Sequence, residues 1–164
     1  MRVSGFLLRR AVAVTLGLCV FGAASYGQGV RFAVGLVVGD PAGLSLEAEG
    51  EGPGLRGLAG WDLRSPGGPT AALDVLFRLR PLDFVSLPLV PYAGFGLKAT
   101  FLVGDGRFGD SAAERGFGLR LPLGVRHAFG DWPLEAFLET APGLRWAPDF
   151  AFDFDAALGA RILF

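Results

Sequence analysis

Charge in this chain keeps to one face of every extended segment, and that regularity restricts the fold more than any other feature. From Val30 onward the sequence breaks into short alternating runs separated by clusters of Gly, Pro and Asp, the pattern of closely spaced strands. Val30, Phe32, Val34, Leu36 and Val38 alternate with Arg31, Ala33, Gly35 and Val37. Beyond Gly39-Asp40-Pro41-Ala42-Gly43, Leu44, Leu46 and Ala48 alternate with Ser45, Glu47 and Glu49. A third run sets Leu55, Gly57, Ala59, Trp61 and Leu63 against Arg56, Leu58, Gly60, Asp62 and Arg64. A fourth, after Ser65-Pro66-Gly67-Gly68-Pro69, sets Leu73, Val75, Phe77 and Leu79 against Asp74, Leu76, Arg78 and Arg80. The apolar stretch Pro81 to Pro91 stays unassigned. Then Ala93, Phe95, Leu97, Ala99 and Phe101 oppose Gly94, Gly96, Lys98 and Thr100. After a polar loop from Gly104 to Glu114, Phe117, Leu119, Leu121, Leu123 and Val125 oppose Gly118, Arg120, Pro122, Gly124 and Arg126. Leu134, Ala136 and Leu138 then face away from Glu135, Phe137 and Glu139. The last run sets Phe152, Phe154, Ala156, Leu158, Ala160, Ile162 and Phe164 against Asp153, Asp155, Ala157, Gly159 and Arg161.

These eight runs carry 17 charges, and all 17 fall on the same parity within their run. With a two-residue strand period, chance agreement is about one in 500. Eight is also an even number, as single-chain bacterial barrels have. The predicted fold is all-β, a closed eight-stranded antiparallel up-and-down transmembrane β-barrel over residues 28–164.

Alternation alone does not say which face is enclosed, since a soluble lipocalin-like barrel shows it with the apolar face inward. Two features favour enclosed charge. The charged face carries the glycines Gly35, Gly60, Gly94, Gly96, Gly118, Gly124 and Gly159, which suits an eight-stranded lumen just wide enough for side chains. The same face carries nine bases (Arg31, Arg56, Arg64, Arg78, Arg80, Lys98, Arg120, Arg126 and Arg161) against eight acids (Glu47, Glu49, Asp62, Asp74, Glu135, Glu139, Asp153 and Asp155). Enclosed charges must be paired or cost several kcal/mol each, so near-equal numbers are what enclosure requires. Lys98 is the single lysine among 15 basic residues, and arginine's fork suits buried pairs with carboxylates. Pro122 is awkward in a barrel that has no edge strand, and a bulge or bend is expected there.

The first residues read as an export leader. Arg2, Arg9 and Arg10 precede a short apolar core from Ala11 to Phe21, and Gly22-Ala23-Ala24-Ser25-Tyr26-Gly27 supplies small residues for cleavage after Gly27. A core of 11 residues is too short to span a bilayer as a helix, which takes about 20. A lipoprotein role for Cys19 is poorly supported, because Leu18 stands where a small residue belongs. Cys19 is the single cysteine, so cleavage removes all thiol chemistry. The chain is apolar on average, with a mean hydropathy of +0.45, and has no other long apolar run. In lipid only helices and closed barrels satisfy the backbone. The net charge of −1 leaves no basic footprint for nucleic acid.

The segment Phe152 to Phe164 ends on an aromatic with apolar residues at every second position before it. It resembles the C-terminal strand of bacterial outer-membrane barrels, which the barrel-assembly machinery reads. The resemblance implies an assembly signal at Leu158, Ala160, Ile162 and Phe164. Four further stretches, Gly39 to Ser45, Pro91 to Gly96, Leu121 to Arg126 and Leu134 to Pro142, resemble an uncharacterised family of small outer-membrane barrels known from spirochaetes, akin to the OmpA transmembrane domain. That likeness implies an outer-membrane location, contact with its lipids, and periplasmic chaperones during biogenesis. It supplies no catalytic residues, and no periplasmic domain is expected after the barrel.

Other chemistry finds little support. His127, the single histidine, falls near the end of the sixth run with no serine in the segment beside it, and reads as an interfacial residue rather than a catalyst. Gly94-Phe95-Gly96-Leu97-Lys98-Ala99 fits a dinucleotide fingerprint, but that pattern works only where a strand turns into a helix. Asp105 and Asp110 lack the spacing of a calcium loop. Asp153 and Asp155 share a face with arginines and read as members of an ion-pair network. No enzyme, cofactor or metal is expected. Three functions remain open: a monomeric structural or surface-interaction barrel, a narrow pore or small-solute carrier, and a soluble periplasmic carrier of an apolar ligand.

Overall fold

The computed structural model describes residues 29–64, 68–82, 87–102 and 114–164. The leader with Cys19, and the loop with Asp105 and Asp110, lie outside the described residues. Nine strand segments are present: β1 (Arg31–Asp40), β2 (Ala42–Glu49), β3 (Gly54–Asp62), β4 (Gly68–Arg78), β5 (Val90–Leu102), β6 (Glu114–Arg120), β7 (Leu123–Ala128), β8 (Leu134–Ala147) and β9 (Ala151–Leu163). Neighbours pair antiparallel, and β1 pairs with β9 while β4 pairs with β5, so the sheet closes on itself. β6 and β7 both lie between β5 and β8 and form one stave. The result is a closed eight-stranded antiparallel barrel.

The interruption between β6 and β7 has a chemical cause. Gly94 N–H donates to the Pro122 carbonyl at 2.8 Å, and Leu121 N–H donates to the Pro142 carbonyl at 2.8 Å. Proline has no N–H, so neither Pro122 nor Pro142 can return its bond. Register is the same on both sides of the gap: β5 pairs Gly96 with Arg120 and Ala93 with Leu123. Of the bulge or bend expected at Pro122, the constant register excludes the bulge, and the strand is interrupted at Leu121 and Pro122. A register shift occurs instead at Phe117/Gly118 against β8, where Phe117 faces Ala147 and Gly118 faces Arg145.

Strand boundaries differ from the sequence expectation in three places. β4 begins at Gly68, and Pro69 pairs with Trp61, so part of the expected turn is strand. The unassigned connection continues the β4–β5 hairpin outward, with Leu82 bridging to Leu89 and Leu79 N–H donating to the Pro91 carbonyl at 2.9 Å. β8 runs to Ala147, eight residues past Glu139, through an Ala141-Pro142-Gly143 sequence that reads locally as a turn. Its added half obeys the same alternation, with Leu144 and Trp146 outward and Arg145 half-buried on the inner parity.

The polarity of the barrel is inverted relative to a soluble protein. Leu36 is 65% exposed on the outer face, while Arg56 and Asp74 are completely buried. Exposed outer aromatics gather at the two ends. Phe32, Phe77, Phe129, Trp132 and Phe164 lie at the end holding both termini, and Trp61, Phe101, Trp146, Phe150 and Phe152 at the opposite end. Between them the exposed side chains are mainly aliphatic, among them Leu36, Leu97, Leu121, Leu138 and Leu158. Transmembrane barrels carry an apolar band of this kind between two aromatic girdles.

Candidate functional site

The lumen is crossed by ion pairs at three levels. At the end holding the termini, Arg126 reaches Glu47 at 3.2 Å and Glu49 at 2.6 Å, while Arg161 bridges Glu47 and Glu135. Arg78 pairs with Glu49 at 2.6 Å, and Arg31 approaches the same carboxylate at 3.9 Å from the rim. In the middle, Arg56 pairs with Asp74 at 2.7 Å and with Glu139 at 2.6 Å. Arg120 joins them through Glu139 at 2.7 Å and lies 3.6 Å from Asp74. At the opposite end, Lys98 contacts Asp155 at 2.7 Å, Asp153 at 3.2 Å and Asp62 at 3.3 Å. Arg64 completes that level by reaching Asp40, Asp62, Asp153 and Asp155. Burial disfavours the charged form of Arg64, but Asp62 and Asp153 outweigh it and hold its pKa above the usual arginine value.

Two aromatic side chains fill the space between levels. The Tyr92 hydroxyl donates to Glu139 at 2.7 Å, and the guanidinium carbons of Arg56 and Arg126 lie 5.9 and 5.6 Å from its ring centre. Phe137 lies under Arg161 at 5.2 Å. Each ring covers a glycine on the neighbouring strand. A Cβ at Gly124 would stand 2.5 Å from the Tyr92 ring, and one at Gly159 would stand 2.2 Å from that of Phe137. Those glycines are where the lumen makes room for its bulk.

The predicted charged set thus converges in space, with amendments. Arg80 lies beyond the end of β4, exposed, and makes no ion pair among the described residues; its parity continues past the rim, where there is no lumen to face. Asp40 and Tyr92 join the network although the sequence reading left them out. Tyr92 shares the parity of Gly94, Gly96 and Lys98 and could have been found that way. Asp40 lies where β1 turns into β2, at the edge of the alternating run, which gives no such signal.

The remaining sequence candidates fall elsewhere. His127 sits at the end holding the termini, its Nδ1 3.0 Å from the Pro88 carbonyl and its ring edge-on to Phe129. Gly94 to Ala99 is continuous strand within β5, without the strand-to-helix turn a dinucleotide fingerprint needs. Among the described residues, no group of three or more His, Cys, Asp or Glu could hold a metal ion.

The fold is similar to a crystal structure of the N-terminal β-barrel domain of Pseudomonas aeruginosa OprF, with a TM-score of 0.58 and 16% identity. The match covers 82% of this chain and 96% of that one. At that identity the likeness concerns the fold alone. No protein-family model matches the chain, and no curated protein matches it in sequence.

Proposed function

We propose that this chain is an integral outer-membrane β-barrel of the OmpA type, with a structural or surface-interaction role and a lumen closed by its Arg, Asp and Glu network. The carrying observation is the inversion: large apolar side chains cover the outside while arginines and carboxylates are buried inside. In water that arrangement exposes apolar surface far beyond what a soluble monomer tolerates; in lipid it is the stable one. A charged interior also offers no apolar cavity for a lipocalin-type ligand. Ion pairs crossing at three levels favour a filled barrel over a pore, in keeping with eight strands.

Cell fractionation with heat-modifiability on gels tests the reading. The protein should stay in the outer-membrane fraction and migrate differently before and after boiling. Recovery in the soluble periplasmic fraction would overturn the proposal.

Deleting Phe164 tests the proposed assembly signal. Phe164 is 73% exposed and exchanges two backbone hydrogen bonds with Phe32, at 2.8 and 3.3 Å. Each bond contributes about 0.5–1.5 kcal/mol, too little to abolish a stable barrel. The variant should therefore fold in detergent yet be depleted from the outer membrane. Normal outer-membrane levels would remove Phe164 from the assembly signal.

A further inference from the structure

The outer face is not uniformly convex. Around β4 and β5 a concavity of about 460 Å³ opens on the lipid side, walled by Ala71, Leu73, Leu97, Ala99, Phe117 and Trp146. Two small outward residues that line it, Ala71 and Ala99, leave the space. Ala59 pairs with Ala71, and Ala71 with Ala99, so a row of methyl groups crosses three strands. The next row toward the middle holds Leu73, Leu97 and Leu119, whose longer side chains form a ledge. Phe117 ends the alanine row opposite Ala99.

The wall beyond Phe117 depends on the register shift between β6 and β8. Phe117 faces Ala147 and Gly118 faces Arg145, which leaves Trp146 as the extra residue. A bulge of this kind re-aims a side chain. Here it sets the indole against the concavity.

We propose that this concavity is a binding site for one acyl chain of a membrane lipid, an inference that rests on the membrane reading above. Every side chain lining it is apolar, apart from Lys98, whose ammonium group is engaged with Asp155 inside the barrel at 2.7 Å. A polar occupant would therefore find no partner. The concavity is continuous with the apolar band, so a chain can enter laterally without passing through water. A second barrel is a poorer fit: a stable protein interface buries roughly 1,000 Å², far more than the lining of this concavity offers. In a bilayer the gain comes from close packing, because an unfilled concavity forfeits dispersion contacts along its lining. An acyl chain is flexible and narrow enough to restore them.

Trp146 supplies the probe. The full-length protein, with Cys19→Ser so that no native thiol is present, is refolded in short-chain detergent micelles and titrated with phosphatidylcholine carrying brominated stearoyl chains. Two variants are compared: Trp61→Phe with Trp132→Phe keeps Trp146, and Trp132→Phe with Trp146→Phe keeps Trp61. Trp61 is an outward tryptophan outside the concavity and reports ordinary lipid contact. Quenching of Trp146 should saturate near one lipid per barrel, whereas quenching of Trp61 should follow the lipid-to-detergent ratio without saturating. Adding Ala99→Phe, which fills the concavity from a lipid-facing position, should convert the Trp146 curve to the Trp61 form. Heat-modifiability checks that each variant is folded. Identical, unsaturable curves at both tryptophans would overturn the site while leaving the membrane reading intact. No quenching at either would overturn both. Disulfide-linked dimers of Ala99→Cys in place of saturable quenching would assign the face to a second copy and overturn the acyl-chain proposal.

Discussion

Replacing Arg56 with methionine is expected to destabilise the barrel by about 3–5 kcal/mol, the range for removing one partner of a buried ion pair. Urea unfolding in lipid vesicles, followed by tryptophan fluorescence, measures it. The middle level holds Arg56 and Arg120 against Asp74 and Glu139, so its charges balance. Without Arg56 one carboxylate is left uncompensated where both Arg56 and Asp74 are inaccessible to solvent. The cost comes from that stranded charge, not from the lost contact alone, and this gives the prediction a second arm. Adding Asp74→Asn restores a balance of Arg120 against Glu139 and should recover part of the loss. A control lies at the rim. Arg78 pairs with Glu49 at 2.6 Å, but its side chain is 35% exposed, and exposed pairs contribute about 0–1 kcal/mol. Equal losses for Arg56→Met and Arg78→Met would mean that the middle level is hydrated and does not hold the barrel together.

Much of this was legible in the sequence because a strand writes its environment with a period of two. Parity sorts the side chains into two faces before any strand is paired with another, and the glycines and balanced charges of one face mark it as the inner one. What parity cannot supply is register between distant strands. That Arg126 meets Glu47, far away in sequence, depends on how β1, β2, β7, β8 and β9 stagger, and no local pattern encodes it. Two prolines on neighbouring strands break the local pattern without breaking the register. Pro142 sits in a sequence that resembles a turn yet continues β8, because only one of its neighbours loses a bond. Pro122 suggested a bulge, yet the stave keeps its register with one donor missing. The actual bulge falls at Trp146, inside the half of β8 that the sequence reading left out.

Leu121 tests the orientation of the wall most directly. It lies midway along the stave formed by β6 and β7, and its side chain is 51% exposed on the outer face. Leu121→Arg should cost about 2–4 kcal/mol in a bilayer, as an arginine does at the midplane of a lipid-facing strand. The penalty should shrink in detergent micelles, where the head can reach water by snorkelling along a short path. Gly124, three residues on and facing the lumen, should fail differently. A Cβ there would stand 2.5 Å from the Tyr92 ring and 2.6 Å from the Leu138 carbonyl, so even Gly124→Ala meets steric resistance. That resistance is internal and should be the same in vesicles and micelles. Paired unfolding measurements in both media separate the two causes. A Leu121→Arg penalty that does not change between bilayer and micelle, or no penalty in either, would mean that this face does not contact lipid and that the membrane assignment is wrong.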